Sequence, residues 1–274
     1  MNFRAVTFSA AAAAAALILT GCCTNMYDCK FAVGAPNAKV DVSKAPGKVK
    51  LDGVLDKKEW AGATVYNMDR TYRYASEIAT PAKVYANTSK KGHDVEPFQG
   101  GTVRLMYDKD FLYVGAELTD TDIMQFATAD QGKAFGTGDA FGIYLKPANS
   151  PRYWELYGTP NGKITSFFVP TRGYPANPDD TVVMPGMKAV AKIQGTFNNY
   201  SNKDKCWTIE FAIPVKQLKK AGADFKPGTA WTILISRINY NYDSKDADPQ
   251  YSTCPEFPSN SFNHIEYFAD INWK

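Results

Sequence analysis

The chain has 274 residues, of which 45% are hydrophobic, 14% aromatic and 22% charged. This composition excludes a disordered polymer and is sufficient for one substantial hydrophobic core. Its 31 Lys and Arg exceed its 28 Asp and Glu by three, or by two without Arg4, and they are scattered along the chain. A nucleic-acid surface is therefore not indicated.

Residues 1–22 have the pattern of an export signal. Arg4 precedes an Ala-rich apolar run from Phe8 to Leu19, which is too short to span a bilayer comfortably. The Leu-Thr-Gly-Cys sequence that ends at Cys22 resembles a bacterial lipoprotein signal, in which this cysteine is lipidated after cleavage. An ordinary cleaved signal is the alternative. Both predict export, and the first predicts an anchor in the cell envelope, at the outer membrane of a Gram-negative cell.

Four cysteines follow Cys22, and an oxidising compartment would allow them three disulfide connectivities, which the sequence does not distinguish. These are Cys23, Cys29, Cys206 and Cys254. A bridge between Cys206 and Cys254 is the pairing that we expect. Zinc binding is not favoured, because there is no C-x-x-C pair and His93 and His264 are far apart in sequence.

Residues 23–47 lack a sustained apolar period and predict a tether, so we expect a folded domain over residues 48–274. In that range short alternating apolar runs end at turn residues, as in the hairpin that turns at Tyr107-Asp-Lys-Asp110. Further strands are predicted for 140–145, 153–157, 164–168, 188–195, 207–213, 230–239 and 265–271. Helices are minor, with one short helix expected after Asp56. Nine or ten such strands predict an all-β fold of the sandwich class.

Six segments then carry a family resemblance: LDGVLDKKEWAGA, VRLMYDKDFLYVGAELTDTDI, GDAFGIYL, YWELYGTPNGKI, WTIEFAIPVKQL and WTILISRINYN. In this order and spacing they resemble the family 9 carbohydrate-binding modules and their lipoprotein relatives, over residues 48–274. The resemblance implies a two-sheet antiparallel, jelly-roll-like β-sandwich. It also implies sugar binding without cleavage, often beside a glycoside hydrolase.

The resemblance also implies sugar-binding positions. Family members carry an aromatic residue three positions before the Asp that matches Asp139 and a Glu three positions after it, but Gly136 and Gly142 stand there. Phe135 is adjacent and is the candidate substitute. A second aromatic position, six residues before Phe268, is occupied by Phe262 in the segment Asn260-Ser-Phe262, so Phe262 and Asn260 are candidates for ligand contact.

Two further groups of candidates come from strand alternation. In WTILISRINYN, Arg237 and Asn239 continue the face of Ile235, and their planar polar groups suit sugar hydroxyls. A structural ion pair of Arg237 is the alternative. In YWELY, Tyr153 shares a face with Glu155, exposed or lining a groove, and is a candidate for binding, whereas Trp154 is expected in the core.

An enzymatic role is the less favoured hypothesis. A glycosidase needs two facing carboxylates, and the strand-borne candidates are Asp139, Glu155 and Glu210. The resemblance places Glu155 and Glu210 in motifs that also occur in non-catalytic modules. No cofactor is required, although loop carboxylates could bind calcium: Asp120 and Asp122, or Asp243, Asp246 and Asp248.

The sequence thus predicts an envelope-anchored module that binds oligosaccharide or polysaccharide. A module that kept the fold, lost sugar binding and serves as a structural or partner-binding unit is the alternative.

Overall fold

The computed structural model describes residues 38–68, 99–132, 134–171, 182–241, 249–254, 257 and 262–274. The predicted signal, its lipidation site Cys22 and the candidate Asn260 lie outside these residues, so the predictions about them stand as predictions. No helix in the described part of the chain is both long and apolar enough to cross a membrane.

Twelve strands dominate the described residues. They are β1 Lys39–Lys44, β2 Val65–Asn67, β3 Gly101–Tyr107, β4 Phe111–Thr119, β5 Ala140–Pro147, β6 Tyr153–Gly158, β7 Ile164–Val169, β8 Lys188–Gln194, β9 Cys206–Pro214, β10 Trp231–Asn239, β11 Gln250–Cys254 and β12 Ala269–Trp273. The α-helix there, α1 Val215–Leu218, is a single turn. The prediction of an all-β fold with minor helices is confirmed.

The strands form one mixed sheet in the order β7-β6-β5-β10-β12-β1-β3-β4-β9-β8, with β11 paired to β10 and β2 paired to β3. Strand β1 joins its two halves, because Lys39 to Val42 pair in parallel with β12 whereas Ser43 and Lys44 pair in parallel with β3. The two-sheet antiparallel sandwich is therefore not confirmed in that form. A switching strand makes one continuous sheet that is antiparallel except at β1.

The main core lies between the two halves of this sheet. Phe141 on β5 contacts Phe211 on β9 with ring centroids 5.9 Å apart. A Cβ atom at Gly158 on β6 would lie 2.4 Å from the Phe211 ring, so only glycine allows this close approach. Strand β10 shows how alternation builds the core: Ile233 and Ile235 point into it, whereas Leu234 between them points to the opposite face.

The structure differs from the sequence prediction at the start of the folded domain and at the short helix. Strand β1 lies within the range 23–47 predicted as a tether, and its Val40 and Val42 are completely buried, so folded chain extends N-terminal of Lys48. The short helix expected after Asp56 is a turn. Asp56 Oδ1 accepts hydrogen bonds from the backbone N–H groups of Lys58 and Glu59, as a capping residue would, but no helix follows.

The predicted disulfide between Cys206 and Cys254 is absent from the structure. Cys206 begins β9, which pairs with β4 and β8, whereas Cys254 ends β11, which pairs with β10. Cys254 is buried in the main core, and Cys206 is only partly buried. The topology therefore separates the two thiols, while Cys23 and Cys29 lie outside the described residues.

Candidate functional site

A second cluster of aromatic side chains covers the face of β5, β6, β7 and β10 that points away from the main core. We call it the outer aromatic cluster. Its buried members are Ala134, Tyr144, Tyr153, Tyr157, Phe167, Val169, Leu234, Phe257 and Phe268. Cross-strand register aligns these residues in rows, because Leu234, Tyr144, Glu155 and Phe167 are successive partners across the four strands.

Three rings at the border of this cluster are only partly buried, those of Phe135, Phe262 and Tyr267, and the first two are predicted binding residues. Phe262 packs against Tyr144 with ring centroids 5.7 Å apart, against Tyr251 at 6.0 Å and against Phe257 at 6.2 Å. Phe262 is nevertheless half-buried and not fully buried.

Phe135 packs on the other side of the cluster, at 5.3 Å from Tyr157 and 6.1 Å from Phe167. The rings of Tyr157 and Tyr144, 5.9 Å apart, lie between Phe135 and Phe262. The two candidate stacking residues thus border one aromatic cluster, whose central rings Tyr144 and Tyr157 are buried.

The two glycines that replace the expected ligand groups have opposite environments. A Cβ at Gly136 would meet no atom within 4 Å, so this position is open. A Cβ at Gly142 would lie 2.6 Å from Ser236 Oγ, 3.1 Å from the Tyr157 ring and 3.3 Å from the Tyr144 ring. Tyr144 and Tyr157 therefore fill the space in which a larger residue at position 142 would project.

Sequence reasoning missed this role of Tyr144. Residues two apart on a strand share a face, so the step from Gly142 to Tyr144 is visible in the sequence. The partnership of Gly142 with Tyr157 is not, because it depends on the register between β5 and β6.

A carboxyl group is buried beneath these rings. Glu155 Oε2 accepts a hydrogen bond from the Tyr157 hydroxyl at 3.3 Å, and that hydroxyl lies 2.7 Å from the Tyr144 hydroxyl. Glu155 Oε1 has no hydrogen-bond partner among the described residues. Burial raises the pKa of Glu155 to about 7, and the hydroxyls of Tyr153 and Tyr157 oppose part of that rise.

Tyr153, predicted as a binding residue, is instead buried. Its ring packs against Phe268, and its hydroxyl donates to Asn263 Oδ1 at 3.0 Å. The Tyr153, Glu155 and Tyr157 face is thus covered rather than exposed. Because Asn263 follows Phe262 directly, the contact of Tyr153 fixes the segment that carries the candidate stacking ring. Trp154 lies in the main core, as expected.

No family model and no curated protein sequence matches the chain. Solved structures do. A protein from Bacteroides uniformis named as a candidate carbohydrate-binding protein matches at a TM-score of 0.60 and 10% identity, over 86% of this chain and 99% of its own. A family 9 carbohydrate-binding module from Caldicellulosiruptor kristjanssonii was solved with cellotriose and with glucose. Both complexes match at a TM-score of 0.52 and 14% identity, over 86% of this chain and 93% or 95% of theirs.

The chain has the fold of the family 9 carbohydrate-binding modules. The structural neighbours confirm the resemblance expected from the six sequence segments. At identities of 10% to 14% the likeness concerns the fold, so ligand contacts depend on the residues of this chain.

In this family 9-like fold, Arg237 and Asn239 are structural residues, which corrects their assignment to sugar binding. Both side chains are buried, Arg237 completely. Arg237 Nη2 donates to Asp120 Oδ2 at 3.0 Å and to Asn239 Oδ1 at 2.5 Å, and its Nη1 donates to the backbone carbonyls of Gln99 and Gly100. The alternative of an ion pair describes Arg237 correctly.

The carboxylates near this ion pair are also engaged. Asp120 accepts a further bond from the indole N–H of Trp207. Asp139 accepts from the backbone N–H groups of Met124 at 2.7 Å and Tyr240 at 2.8 Å. Burial, and then the nearby Asp120, raise the pKa of Asp139 well above its usual value. Asp139 thus bonds the start of β5 to the backbone at Met124 and Tyr240.

The described residues do not provide a calcium site. In the described part of the family 9-like fold, no group of three or more His, Cys, Asp or Glu residues is arranged to hold a metal ion. Asp120 pairs with Arg237 instead. The alternative ligands Asp243, Asp246 and Asp248 lie outside the described residues.

Glu155 and Glu210, two of the carboxylates considered for catalysis, do not face one another. Glu155 lies between Trp154 and Leu156 of the main core, so it projects to the outer aromatic cluster. Glu210 lies between the core residues Ile209 and Phe211 on the other half of the sheet. It accepts from the backbone of residues 52 and 53 and from the Trp60 indole. The core separates the two groups, whereas a glycosidase needs them about 5 to 10 Å apart across a substrate.

Proposed function

We propose that this chain binds carbohydrate without cleaving it, as a lipid-anchored envelope protein that helps to capture polysaccharide for degradation. The observation that carries this proposal is that Phe135 and Phe262 are partly buried rings at the border of one aromatic cluster. The fold supports the proposal, because its neighbours include a module solved with cellotriose and with glucose. The anchor at Cys22 and cooperation with a glycoside hydrolase follow from the sequence pattern and the resemblance alone.

In this proposal the sugar binds mainly by stacking. The apolar C–H face of a pyranose packs on an aromatic ring, and phenylalanine contributes only area because it has no polar atom. Phe262 is fixed by three neighbouring rings, so little side-chain freedom is lost when a ligand binds. Arg237 and Asn239 are buried, so they do not orient the sugar.

A pair of matched substitutions tests the proposal. Phe262→Ala should weaken oligosaccharide binding by about 1 to 3 kcal/mol, or roughly 5- to 150-fold, if the ring stacks on the ligand. Phe111→Ala is the control, because Phe111 is also partly buried and contacts Tyr113 at 5.8 Å on the other half of the sheet. We expect similar losses of unfolding free energy from both changes, but loss of affinity from Phe262→Ala alone.

The measurement is isothermal titration of the purified protein against oligosaccharides of cellulose, xylan, mannan and starch, preceded by a glycan array. Equal affinities for the Phe262 and Phe111 variants would remove Phe262 from the site. Absence of binding to every glycan, with a cooperative unfolding transition intact, would refute sugar binding altogether.

The second candidate is a module that kept the fold and lost sugar binding. One observation favours it: Tyr144 and Tyr157 pack over Gly142, where the family resemblance predicts a carboxylate ligand. In that case the outer aromatic cluster serves stability alone. Sugar titration separates the two candidates directly, because only the first predicts a saturable signal.

A further inference from the structure

Exposed aromatic side chains are concentrated on two loops next to the proposed site. Among the described residues the exposed large hydrophobic side chains are Val54, Val65, Phe126, Val183, Phe197 and Tyr200. The three aromatic side chains in this set have exposed fractions of 53% for Phe126, 36% for Phe197 and 38% for Tyr200. All three lie on the loop after β4 or on the loop between β8 and β9. Exposing large rings costs solvation free energy, so their concentration in one place indicates a binding surface.

Asn198 joins the two loops to each other. Its Oδ1 accepts from the Gln125 backbone N–H at 2.9 Å, and its Nδ2 donates to the Gln125 carbonyl at 3.1 Å. Its backbone N–H donates to the Ile123 carbonyl at 3.0 Å. Asn198 has a φ of 54°, in the left-handed region that non-glycine residues adopt at a cost. These bonds join the two backbone segments that carry Phe126 and Phe197, the sequence neighbours of Gln125 and Asn198.

Asp204 fastens the same loops from inside. Its Oδ2 accepts from the Ile123 backbone N–H at 2.9 Å, and its Oδ1 accepts from the Thr196 backbone N–H at 2.7 Å. Its own N–H donates to the Thr121 carbonyl at 2.9 Å. The exposed rings therefore stand on a fixed backbone, which lowers the entropy cost of binding a ligand.

The loops are continuous with the segment that carries Phe135. The Phe126 backbone N–H donates to the Thr137 carbonyl at 3.0 Å. Gln125 Nε2 donates to the Ala134 carbonyl at 3.0 Å and to the Asp139 carbonyl at 2.9 Å. Gly136, with open space where a side chain would project, lies in the same segment. No side chain at position 136 therefore obstructs the surface between Phe135 and Phe126.

We propose that Phe126, Phe197 and Tyr200 extend the sugar site, so that the protein binds an internal stretch of an extended polysaccharide rather than only a short sugar. This inference rests on the proposed sugar-binding function. The loops that carry these rings are hydrogen-bonded to the Phe135 segment, so a ligand longer than the Phe135 site can reach them. Its added affinity comes from further ring stacking.

The composition of the second loop favours a sugar over a protein partner. In Thr196-Phe-Asn-Asn-Tyr-Ser-Asn202 the rings alternate with amides and hydroxyls. The polar side chains bond within the loop, as Thr196 Oγ1 does to Asn202 Oδ1 at 2.7 Å and Ser201 Oγ does to Asn199 Oδ1 at 2.7 Å, so the separated rings are what the loop offers to the apolar sugar face. The core of a protein interface is instead a continuous apolar patch.

The test compares ligands of different length on the purified full chain. The probes are the monosaccharide, trisaccharide and hexasaccharide of cellulose, xylan, mannan and starch. We expect the hexasaccharide of the recognised polymer to bind at least about tenfold more tightly than its trisaccharide. The triple variant Phe126→Ala, Phe197→Ala, Tyr200→Ala should lose that gain and keep the affinity for the trisaccharide.

Two controls accompany it. Val65→Ala with Val183→Ala removes exposed aliphatic side chains elsewhere and should change neither affinity. Phe197→Tyr keeps an aromatic face and should retain most of the hexasaccharide affinity.

The outcomes separate this inference from the proposed function. Equal trisaccharide and hexasaccharide affinities in the unmodified protein, or a triple variant that keeps the length-dependent gain, would overturn the extended surface and leave sugar binding in place. Binding to none of the probes would overturn both. Self-association of the unmodified protein that the triple variant abolishes, without an effect on sugar affinity, would assign the rings to a protein contact and overturn the inference.

Discussion

The region around Arg237 and the outer aromatic cluster around Glu155 differ in how they handle buried charge. Arg237 is completely buried, and its charge is matched by Asp120 at 3.0 Å. Glu155 is almost as buried, but its described hydrogen-bond partner is a tyrosine hydroxyl, and its Oε1 has none. The first region is held by a charge pair, whereas in the second the carboxyl tends towards its neutral form.

The difference shows why residue type alone does not locate a ligand site. Arginine suits sugar hydroxyls, yet here its donors are used inside the protein. Phenylalanine is an ordinary core residue, yet Phe262 and Phe135 remain partly accessible where their cluster meets the surface. Accessibility follows from the tertiary arrangement, so the residues with the more polar chemistry are the ones withdrawn from solvent.

Breaking the charge pair should produce the largest effect. Arg237→Ala leaves Asp120 buried without its cation and should lower the unfolding free energy by about 3 to 5 kcal/mol. Urea denaturation of this variant and of Arg152→Ala, whose side chain is exposed, measures the difference. A loss below about 1 kcal/mol would mean that the pair contributes nothing beyond an exposed arginine.

Replacing the buried carboxyl of Glu155 should change how the unfolding free energy depends on pH, which distinguishes it from the ion pair of Arg237. Burial raises the pKa of Glu155 from 4.5 to about 7, so the folded state binds the proton more tightly than the unfolded chain. The protonated Glu155 therefore contributes fully to the unfolding free energy below pH 4.5. This contribution, up to about 3 kcal/mol, is lost as the pH rises through about 7. Glu155→Gln should lack this loss and be the more stable protein at pH 8.

Chemical denaturation of both proteins at pH 4, 6 and 8 provides the measurement. The difference between the two proteins isolates Glu155, because Asp139 and Glu210 also have raised pKa values in the folded state and are common to both. Glu117→Gln, at an exposed position on β4, serves as the matched control. Parallel pH profiles for the original protein and Glu155→Gln would show that Glu155 is ionised at no cost.

Much of the fold was predictable because most strands carry local signals. In the run Trp231 to Asn239 every second residue from Trp231 to Ile235 is a core residue, and the predicted strand 230–239 matches β10 within one residue. Strand β1 was missed for a physical reason. It is short, follows residues without apolar periodicity, and is stabilised by parallel pairing with β12 at the far end of the chain. No local pattern reports such a partner.

The site was less predictable, because alternation gives the face of a strand but not what lies opposite. The pattern correctly placed Arg237 on the face of Ile235. It gave no indication that Asp120, 117 residues earlier, would meet that face. Phe262 was placed through the family resemblance, and the structure keeps it partly accessible. The same resemblance could not show that Tyr144 and Tyr157 close the space at Gly142.

The smallest expected effect comes from the two glycines at the border and the centre of the outer aromatic cluster. Gly142→Ala places a methyl group against Ser236 and the rings of Tyr157 and Tyr144, and should cost about 1 to 3 kcal/mol through overpacking. Gly136→Ala meets open space and should be neutral or stabilise by up to about 1 kcal/mol, because alanine restricts the unfolded chain. Thermal unfolding of both variants measures the difference. Equal stability of the two variants would mean that the rings of Tyr144 and Tyr157 move aside at little cost in free energy. Rings that move aside would leave room for a ligand at the centre of the cluster.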